Sequence, residues 1–411
     1  MLRLVSVFGI FALLGLCYVL SRDRRRISWR LVGTGLAIQA VLGLLFLQWE
    51  AGNRWLRGVG EGVKSFLDLS AAGTAFVFGE LANPAHSSGL GFVFATQVLP
   101  TLIFFSSFMA VLYHLGLMQL VVRGMAVVTT RLLGTSGSET LSACANVFVG
   151  QTEAPLMVRP FLPRMTKSEM HAVMTGGFAT IAGGVFALYV GFGIEPGHLM
   201  VASVMAVPAG LVCSKILLPE TEVSETMGRV VMHDTRTTAN VVEAAANGAL
   251  DGLRLALNVG AMLVAFLGLV AVLDWMLGGV GSWIGVDELS VGWVLGWLFS
   301  PIAAVMGVQA DEIRTLGELL GTKIALTELI AYRDLGVMKD AGTLSPRTVL
   351  IASFALCGFA NLGSVAIQIG GLGAMAPERK PDLARLVFRA MFAGAIATCV
   401  TACLAGALTD V

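Results

Sequence analysis

Charged residues are scarce in this sequence. Only 13% of its 411 residues are charged, whereas 56% are hydrophobic and the mean hydropathy is +0.81. The 27 basic residues equal the 27 acidic ones, so the chain lacks the basic excess that is typical of nucleic-acid-binding proteins. This composition argues against a soluble globular protein and a nucleic-acid partner, and it predicts a polytopic all-α membrane protein.

The sequence also lacks the residue clusters of a membrane enzyme. It has no Cys-x-x-Cys pair, and no His, Cys or Asp cluster with nucleophile or metal-site spacing occurs within its apolar segments. We expect the cysteines to be small buried hydrophobes. They are Cys17, Cys144, Cys213, Cys357, Cys399 and Cys403.

Eight apolar segments are predicted to be transmembrane helices that cross a lipid bilayer. The first is followed by a basic cluster, whereas a signal peptide carries its charge before the apolar core, so its C-terminal end is predicted to be cytoplasmic. This orientation places both termini outside, on the periplasmic side of a bacterial inner membrane. The predicted spans are 2–20, 31–49, 91–113, 168–192, 198–217, 252–275, 346–376 and 383–409.

The segments between these spans are too polar or too broken to cross. Residues 50–90 are predicted to hold a surface helix, residues 115–135 an interfacial helix, and residues 219–247 a polar cytoplasmic loop. Two segments, 137–163 and 312–338, have apolar halves around a polar centre. They are predicted to be re-entrant hairpins, because non-helical backbone at membrane depth requires cover from protein or a water-filled cavity.

Two motifs occur twice in the same order. The first hairpin contains Thr152-Glu153 and the second contains Thr327-Glu328, and each is followed by a Gly-Phe-Ala break within a span. Three predicted spans separate the hairpins, and an odd number gives the two copies opposite orientations. We therefore predict an inverted repeat with broken helices, whose polar centres converge at the bilayer midplane as in secondary transporters.

The repeat divides the chain into four segments. Residues 1–113 are predicted to be N-terminal spans and a surface helix that serve as a scaffold. Residues 114–217 form the first repeat with the first hairpin and the broken fourth span. Residues 218–290 hold the cytoplasmic loop and the sixth span, again as scaffold. Residues 291–411 form the second repeat with the second hairpin, the broken seventh span and the last span.

Three stretches, 150–156, 176–183 and 321–332, together resemble the concentrative nucleoside transporter family. The resemblance extends from about residue 30 to the end of the chain. It implies a homotrimer in which each protomer imports a nucleoside by coupling to an ion gradient, usually of sodium and in some members of protons.

The resemblance also implies roles for individual residues. Sodium-coupled members carry an Asn at the position that matches Asn146, which is therefore expected to be a sodium ligand. The non-helical tip and the first break would add oxygens of Val149, Thr180 and Ile181, because unwound backbone coordinates sodium in transporters. One departure is that members commonly have Asn-Glu-Phe where this chain has Thr327-Glu328-Leu329. The substrate contacts implied by the resemblance are Gln151, Thr152, Glu153, Val185, Leu255, Glu328, Phe359, Asn361 and Ser364.

A nucleoside also fits the chemistry of these groups. A carboxylate accepts paired hydrogen bonds from the vicinal hydroxyls of ribose, and an amide such as that of Gln151 or Asn361 both donates and accepts. No basic cluster lies at the polar centres. A nucleotide phosphate would therefore meet carboxylates without a counter-charge, and we expect nucleosides to be preferred.

Other interpretations of these residues remain open. Glu153 could pair with Arg159 and Glu328 with Lys323 as structural ion pairs, and Asn146 could simply cap a half-helix.

Lys323 itself is expected to pair with an acid such as Glu318 or Asp311. A proton-coupled nucleoside symporter would titrate a buried acid such as Glu153, and an ion channel could use midplane carboxylates to line its path.

Overall fold

The computed structural model describes residues 1–82, 93–231, 238–286 and 289–409. Within these ranges the regular structure is helical, and the one isolated β-bridge pairs Ser136 with Met227. Six helical segments of the described chain are long and apolar enough to cross a membrane. They are Leu2–Val19, Trp29–Gln48, Phe94–His114, Pro196–Leu217, Val241–Trp283 and Pro377–Leu408.

The helices of the first half include the predicted surface helix. The buried residues of that helix, α3, include Gly52, Leu56 and Gly60, which recur every fourth residue and therefore lie on one face. Residues 83–92, at the end of the predicted surface segment, lie outside the described ranges. The helices are α1 (Leu2–Val19), α2 (Trp29–Gly43), α3 (Glu50–Asp68), α4 (Ser70–Phe78), α5 (Phe94–Gln97), α6 (Leu99–His114), α7 (Leu117–Leu133), α8 (Gly137–Ala145), α9 (Lys167–Ala179), α10 (Gly183–Gly191) and α11 (Pro196–Leu217).

The helices of the second half differ from the prediction at two places. The cytoplasmic loop predicted at 219–247 ends earlier, because Asn240 caps α12 by accepting a hydrogen bond from the Glu243 N–H. Helix α13 has 15 residues, fewer than the roughly 20 of a transmembrane span, so its apolar stretch was too short to be predicted as a span. The helices are α12 (Val241–Ile284), α13 (Val291–Val305), α14 (Ile313–Ala325), α15 (Glu328–Asp340), α16 (Pro346–Ala355), α17 (Leu362–Met375) and α18 (Lys380–Leu408).

The fourth and seventh predicted spans each consist of two helices with a non-helical break. The first break lies between α9 and α10, and the second lies between α16 and α17. Both spans begin within one residue of their predicted bounds, and side-chain caps explain these starts. Thr166 and Glu169 form a reciprocal capping box at α9, and the Ser345 hydroxyl accepts a hydrogen bond from the third residue of α16.

The two predicted hairpin segments have different local structures. In the second, α14 and α15 are joined by Leu326 and Thr327. In the first, α8 is followed by turns and two short 3-10 segments, Ala154–Val158 and Leu162–Arg164. Each short segment contains a proline, which has no N–H to donate and therefore opposes a continuous helix.

Small residues let the helices around the breaks pack closely. A Cβ atom on Gly394 of α18 would lie 2.5 Å from the Cβ atom of Phe178 on α9. A Cβ atom on Gly358, in the second break, would lie 2.6 Å from the carbonyl oxygen of Phe178. Such close backbone approach is a recurring feature of helix packing in membranes. This packing holds α18 and the second break against the C-terminal end of α9.

Candidate functional site

A chain of hydrogen bonds connects the first polar tip with the second. Nε2 of Gln151 donates to Oγ of Ser364 (3.1 Å), whose backbone N–H donates to Oδ1 of Asn361 (2.8 Å). Nδ2 of Asn361 then donates to Oε2 of Glu328 (2.7 Å). All four residues are buried. The structure therefore brings together four of the residues for which the sequence predicted a substrate contact.

Two helix N-termini orient the polar groups of this hydrogen-bonded chain. Asn361 is the N-cap of α17 and has extended backbone, so its bond from the Ser364 N–H is a capping bond that turns the amide nitrogen towards Glu328. Glu328 is the first residue of α15, where the helix dipole favours a carboxylate. Thr327 is the N-cap of α15, and its hydroxyl accepts from the Leu329 N–H. Thr327 therefore supplies a capping oxygen, as an asparagine would.

The sequence prediction missed three residues that surround this hydrogen-bonded chain: Tyr189, Tyr332 and Gln368. The Tyr189 hydroxyl donates to Oε1 of Glu328 (3.0 Å), and the Tyr189 ring lies 4.3 Å from that of Tyr332. Nε2 of Gln368 donates to Oε1 of Gln151 (3.1 Å). A sequence signal existed for Gln368, since it follows Ser364 by four residues on the same face of α17. A tyrosine in an apolar helix gives no comparable signal for Tyr189.

The other predicted substrate residues lie outside the hydrogen-bonded chain. Glu153 is exposed and Thr152 is partly exposed, and neither side chain makes a hydrogen bond within the described ranges. Val185 is buried on α10, whereas Leu255 on α12 and Phe359 in the second break are half-buried. The three apolar residues with a predicted substrate contact thus come from three different elements.

Asn146 carries an unsatisfied oxygen at the end of α8. Its side chain is fully buried, and Nδ2 donates to the Ser142 carbonyl (2.9 Å), which is the capping role expected for an asparagine here. Its Oδ1 atom has no hydrogen-bond partner in the part of the chain that the structure describes. An unpaired buried acceptor costs about 1–3 kcal/mol, so the arrangement fits a cation that this oxygen would coordinate.

The other predicted sodium ligands also offer oxygens. The Thr180 hydroxyl donates its hydrogen to the Gly176 carbonyl (2.9 Å), which leaves its oxygen lone pairs available. Among the described residues, no backbone N–H donates a hydrogen bond to the Val149 or the Ile181 carbonyl, so both oxygens are available. Hard cations are bound by such oxygen sets, and unwound backbone supplies them in transporters. The donor set therefore fits sodium.

The site is continuous from the Asn146 oxygen to the substrate residues. A Cβ atom on Gly176 of α9 would lie 3.5 Å from Nδ2 of Asn146. A Cβ atom on the next residue, Gly177, would lie 2.8 Å from the Cβ atom of Gln151. Two consecutive glycines therefore let the first tip lie directly against α9.

The expected pairing of Lys323 with Glu318 or Asp311 is wrong. Its Nζ atom instead donates to the Ala355 carbonyl (2.8 Å) and to the Thr398 hydroxyl oxygen (2.9 Å). The ion pairs found in the described ranges do not include Lys323, Glu153 or Glu328. These contacts favour functional roles for the two tip acids over structural ion pairing.

A cavity of about 960 Å³ lies apart from this site. Its lining includes Arg57 of α3, His198 of α11, Lys339 of α15 and Leu350 of α16, and it contains none of the predicted substrate or sodium residues. The hydrogen-bonded chain, and not this cavity, carries the chemistry expected of a nucleoside site.

Comparison with known proteins identifies the family. The chain is 44% identical over 407 residues to an uncharacterized transporter of Haemophilus influenzae, covering 98% of this chain and 97% of that protein. It is 41% identical to human sodium/nucleoside cotransporter 1, covering 99% of this chain and 64% of the longer human protein. CNTnw in an inward-facing substrate-bound state has a TM-score of 0.93 and 43% identity, covering 100% of this chain and 98% of that one.

Family descriptions also match consecutive parts of the chain. "Na+ dependent nucleoside transporter C-terminus" matches residues 198–406, the corresponding N-terminus description matches residues 8–81, and "Nucleoside recognition" matches residues 95–195. The chain belongs to the concentrative nucleoside transporter family. Membership confirms the resemblance seen in the three sequence motifs, and the protein is a membrane nucleoside transporter, not an enzyme. Sodium is the coupling ion that the family implies.

Proposed function

We propose that this concentrative nucleoside transporter imports nucleosides by sodium-coupled alternating access across a bacterial inner membrane. The observation that supports sodium most directly is the buried Oδ1 atom of Asn146, which has no hydrogen-bond partner among the described residues. The adjoining chain from Gln151 to Glu328 supports a polar, uncharged substrate with both donors and acceptors. Alternating access is supported by the solved states of CNTnw, which include outward-facing and inward-facing substrate-bound forms.

The proposed architecture has eight transmembrane spans, two re-entrant hairpins and an inverted repeat. The six long helices together with the two broken spans make eight crossings. The scaffold and repeat segments keep the predicted bounds of 1–113, 114–217, 218–290 and 291–411. Both termini are periplasmic in this proposal, and the protein is a homotrimer.

In the proposed substrate site the second tip holds the sugar and the first tip holds the base. Glu328 and Asn361 meet the ribose hydroxyls, since a carboxylate forms strong charge-assisted hydrogen bonds with them. Gln151 and Thr152 meet the nucleobase, and Ser364 supports both through its bonds to Gln151 and Asn361.

Three apolar residues complete the proposed site. Phe359, Val185 and Leu255 supply an apolar wall around the bound nucleoside. Glu153, which is exposed beside the first tip, contributes the second carboxylate.

The sodium ion is proposed to bind between the first tip and the first break. The Asn146 side chain, the Val149 and Ile181 carbonyls and the Thr180 hydroxyl would hold it. When bound, the ion supplies a positive charge that orders the oxygens of the first tip. Because binding is reciprocal, sodium and nucleoside must each raise the affinity of the other by the same factor.

Uptake in proteoliposomes with sodium or with choline at constant pH tests the proposal. We expect radiolabelled uridine to accumulate in the wild type only with an inward sodium gradient, and Asn146→Ala to require far more sodium. Asn53→Ala on the surface helix α3 is the matched control and should behave as the wild type. Full uptake in choline driven by a pH gradient would instead identify a proton symporter.

A further inference from the structure

Lys323 is buried in the second repeat, and no carboxylate of the described residues makes a hydrogen bond or an ion pair with it. Its side chain is 1% exposed, and Nζ donates to the Ala355 carbonyl (2.8 Å) and the Thr398 hydroxyl oxygen (2.9 Å). A buried charge is tolerated only when polar groups satisfy it. Here the polar groups around the ammonium are neutral oxygens, which are also the groups that coordinate a dehydrated metal ion.

Both oxygens are available as acceptors. Ala355 is the last residue of α16, where carbonyls lie at the negative end of the helix dipole. Phe359, whose N–H would bond to this carbonyl in a continuous helix, donates instead to Thr180. The Thr398 hydroxyl gives its hydrogen to the Ala395 carbonyl (2.9 Å), so its oxygen accepts from Lys323.

The first repeat has an equivalent arrangement. Asn146 follows the first hairpin helix, α8, and Thr180 follows the first half of the broken fourth span. In the second repeat, Lys323 lies near the end of the first hairpin helix, α14, and Ala355 ends the first half of the broken seventh span. In both repeats, an oxygen at the break and a residue at the end of the hairpin helix therefore define a position for one positive charge. In the second repeat the Thr398 hydroxyl of α18 adds a further oxygen.

We propose that Lys323 is a tethered cation that takes, in the second repeat, the place that exchangeable sodium takes in the first. The inference rests on the proposed sodium site. The ammonium offsets the charge of Glu328, whose side-chain hydrogen bonds come from the neutral groups of Asn361 and Tyr189. Because the second position is permanently filled, each nucleoside is accompanied by one sodium ion.

Uridine binding to the purified full chain tests this role. Calorimetric titrations would be made across sodium concentrations, with choline holding the ionic strength constant. For the wild type we expect a sodium Hill coefficient of about 1, because one exchangeable site is filled. Lys323→Ser vacates the space but leaves a hydroxyl, so a second sodium should enter and the coefficient should rise towards about 2.

A second substitution separates charge from volume. Lys323→Met fills the space without a charge or an oxygen, so affinity should fall at least about tenfold at saturating sodium while the coefficient stays near 1. Lys64→Met makes the same chemical change on the exposed face of α3 and should match the wild type. Sodium should also raise the melting temperature of Lys323→Ser more steeply than that of the wild type.

The outcomes distinguish this inference from the proposed function. Sodium-independent binding by the wild type would overturn both. A sodium-dependent wild type with a coefficient near 2, or Lys323 variants with unchanged affinity and coefficient, would overturn the tethered cation alone. If the Lys323 variants do not fold, Thr398→Val removes one acceptor at nearly constant volume. It should weaken uridine binding without changing the coefficient, and unchanged binding would contradict the inference.

Discussion

The backbone N–H of Phe359 donates a hydrogen bond to the carbonyl of Thr180, with the two atoms 3.2 Å apart. Thr180 follows α9 and Phe359 lies between α16 and α17, so the breaks in the two spans are in direct contact. Two of the proposed sodium ligands, Thr180 and Ile181, belong to the first break, and one of the proposed sugar ligands, Asn361, belongs to the second. This bond therefore gives the ion and the nucleoside a shared structural support.

The hydrogen bonds to Glu328 should contribute directly to nucleoside affinity. Glu328→Gln is expected to weaken uridine binding by at least about 1.5 kcal/mol, the lower value for a hydrogen bond to a charged group. Tyr189→Phe should weaken it by about 1 kcal/mol, because one carboxylate oxygen loses its donor. Calorimetry measures both, with Tyr18→Phe on the exposed part of α1 as the control. Wild-type affinity in both variants would remove Glu328 from the site.

The sugar hydroxyls should be required for tight binding. We expect 2′,3′-dideoxyuridine to compete far more weakly than uridine, because Glu328 and Asn361 would lose their partners on binding. Loss of one hydroxyl should reduce competition less than loss of both. Inhibition of radiolabelled uridine uptake ranks the affinities of uridine, an analogue that lacks one hydroxyl, and 2′,3′-dideoxyuridine. Equal competition would show that these two residues serve another purpose.

Gln368 should be a positioning residue for the first tip. Its Nε2 atom donates to both Gln151 and the Met174 carbonyl, so Gln368→Leu would leave two buried acceptors unpaired. Each unpaired acceptor costs about 1–3 kcal/mol, and we expect weaker uridine binding with a lower melting temperature. Gln368→Glu keeps the shape but removes the donor and should resemble Gln368→Leu. Binding that tolerates both substitutions would exclude this role.

Close packing at Gly394 should be essential for stability. Gly394→Ala places a methyl group 2.5 Å from the Cβ atom of Phe178, and overpacking of this kind typically costs about 1–3 kcal/mol. Gly370→Ala on the exposed face of α17 places its methyl group more than 4 Å from every neighbouring atom of the described residues, so it should be neutral or slightly stabilising. Melting temperatures in detergent compare the two variants. Equal effects would mean that α18 can move away from α9.

The sequence by itself determined the class of protein and much of the site. Its apolar composition indicated the membrane, and the repeated Thr-Glu and Gly-Phe-Ala motifs located the tips and the breaks. Local signals were sufficient here, because helix starts at Thr166 and Ser345 depend on side chains within three residues. The three motifs also identified the family that the comparisons confirm.

Only the tertiary structure decided which distant groups meet. Tyr189 reaches Glu328 across 139 positions, and Lys323 reaches Thr398 across 75, so no local period or spacing could reveal either contact. The same holds for the Asn146 oxygen, which no described residue satisfies, because the atoms that pack around a buried side chain determine whether its hydrogen bonds are made. The sequence names the polar groups that enter the membrane, and packing determines which of them are left to bind an ion or a nucleoside.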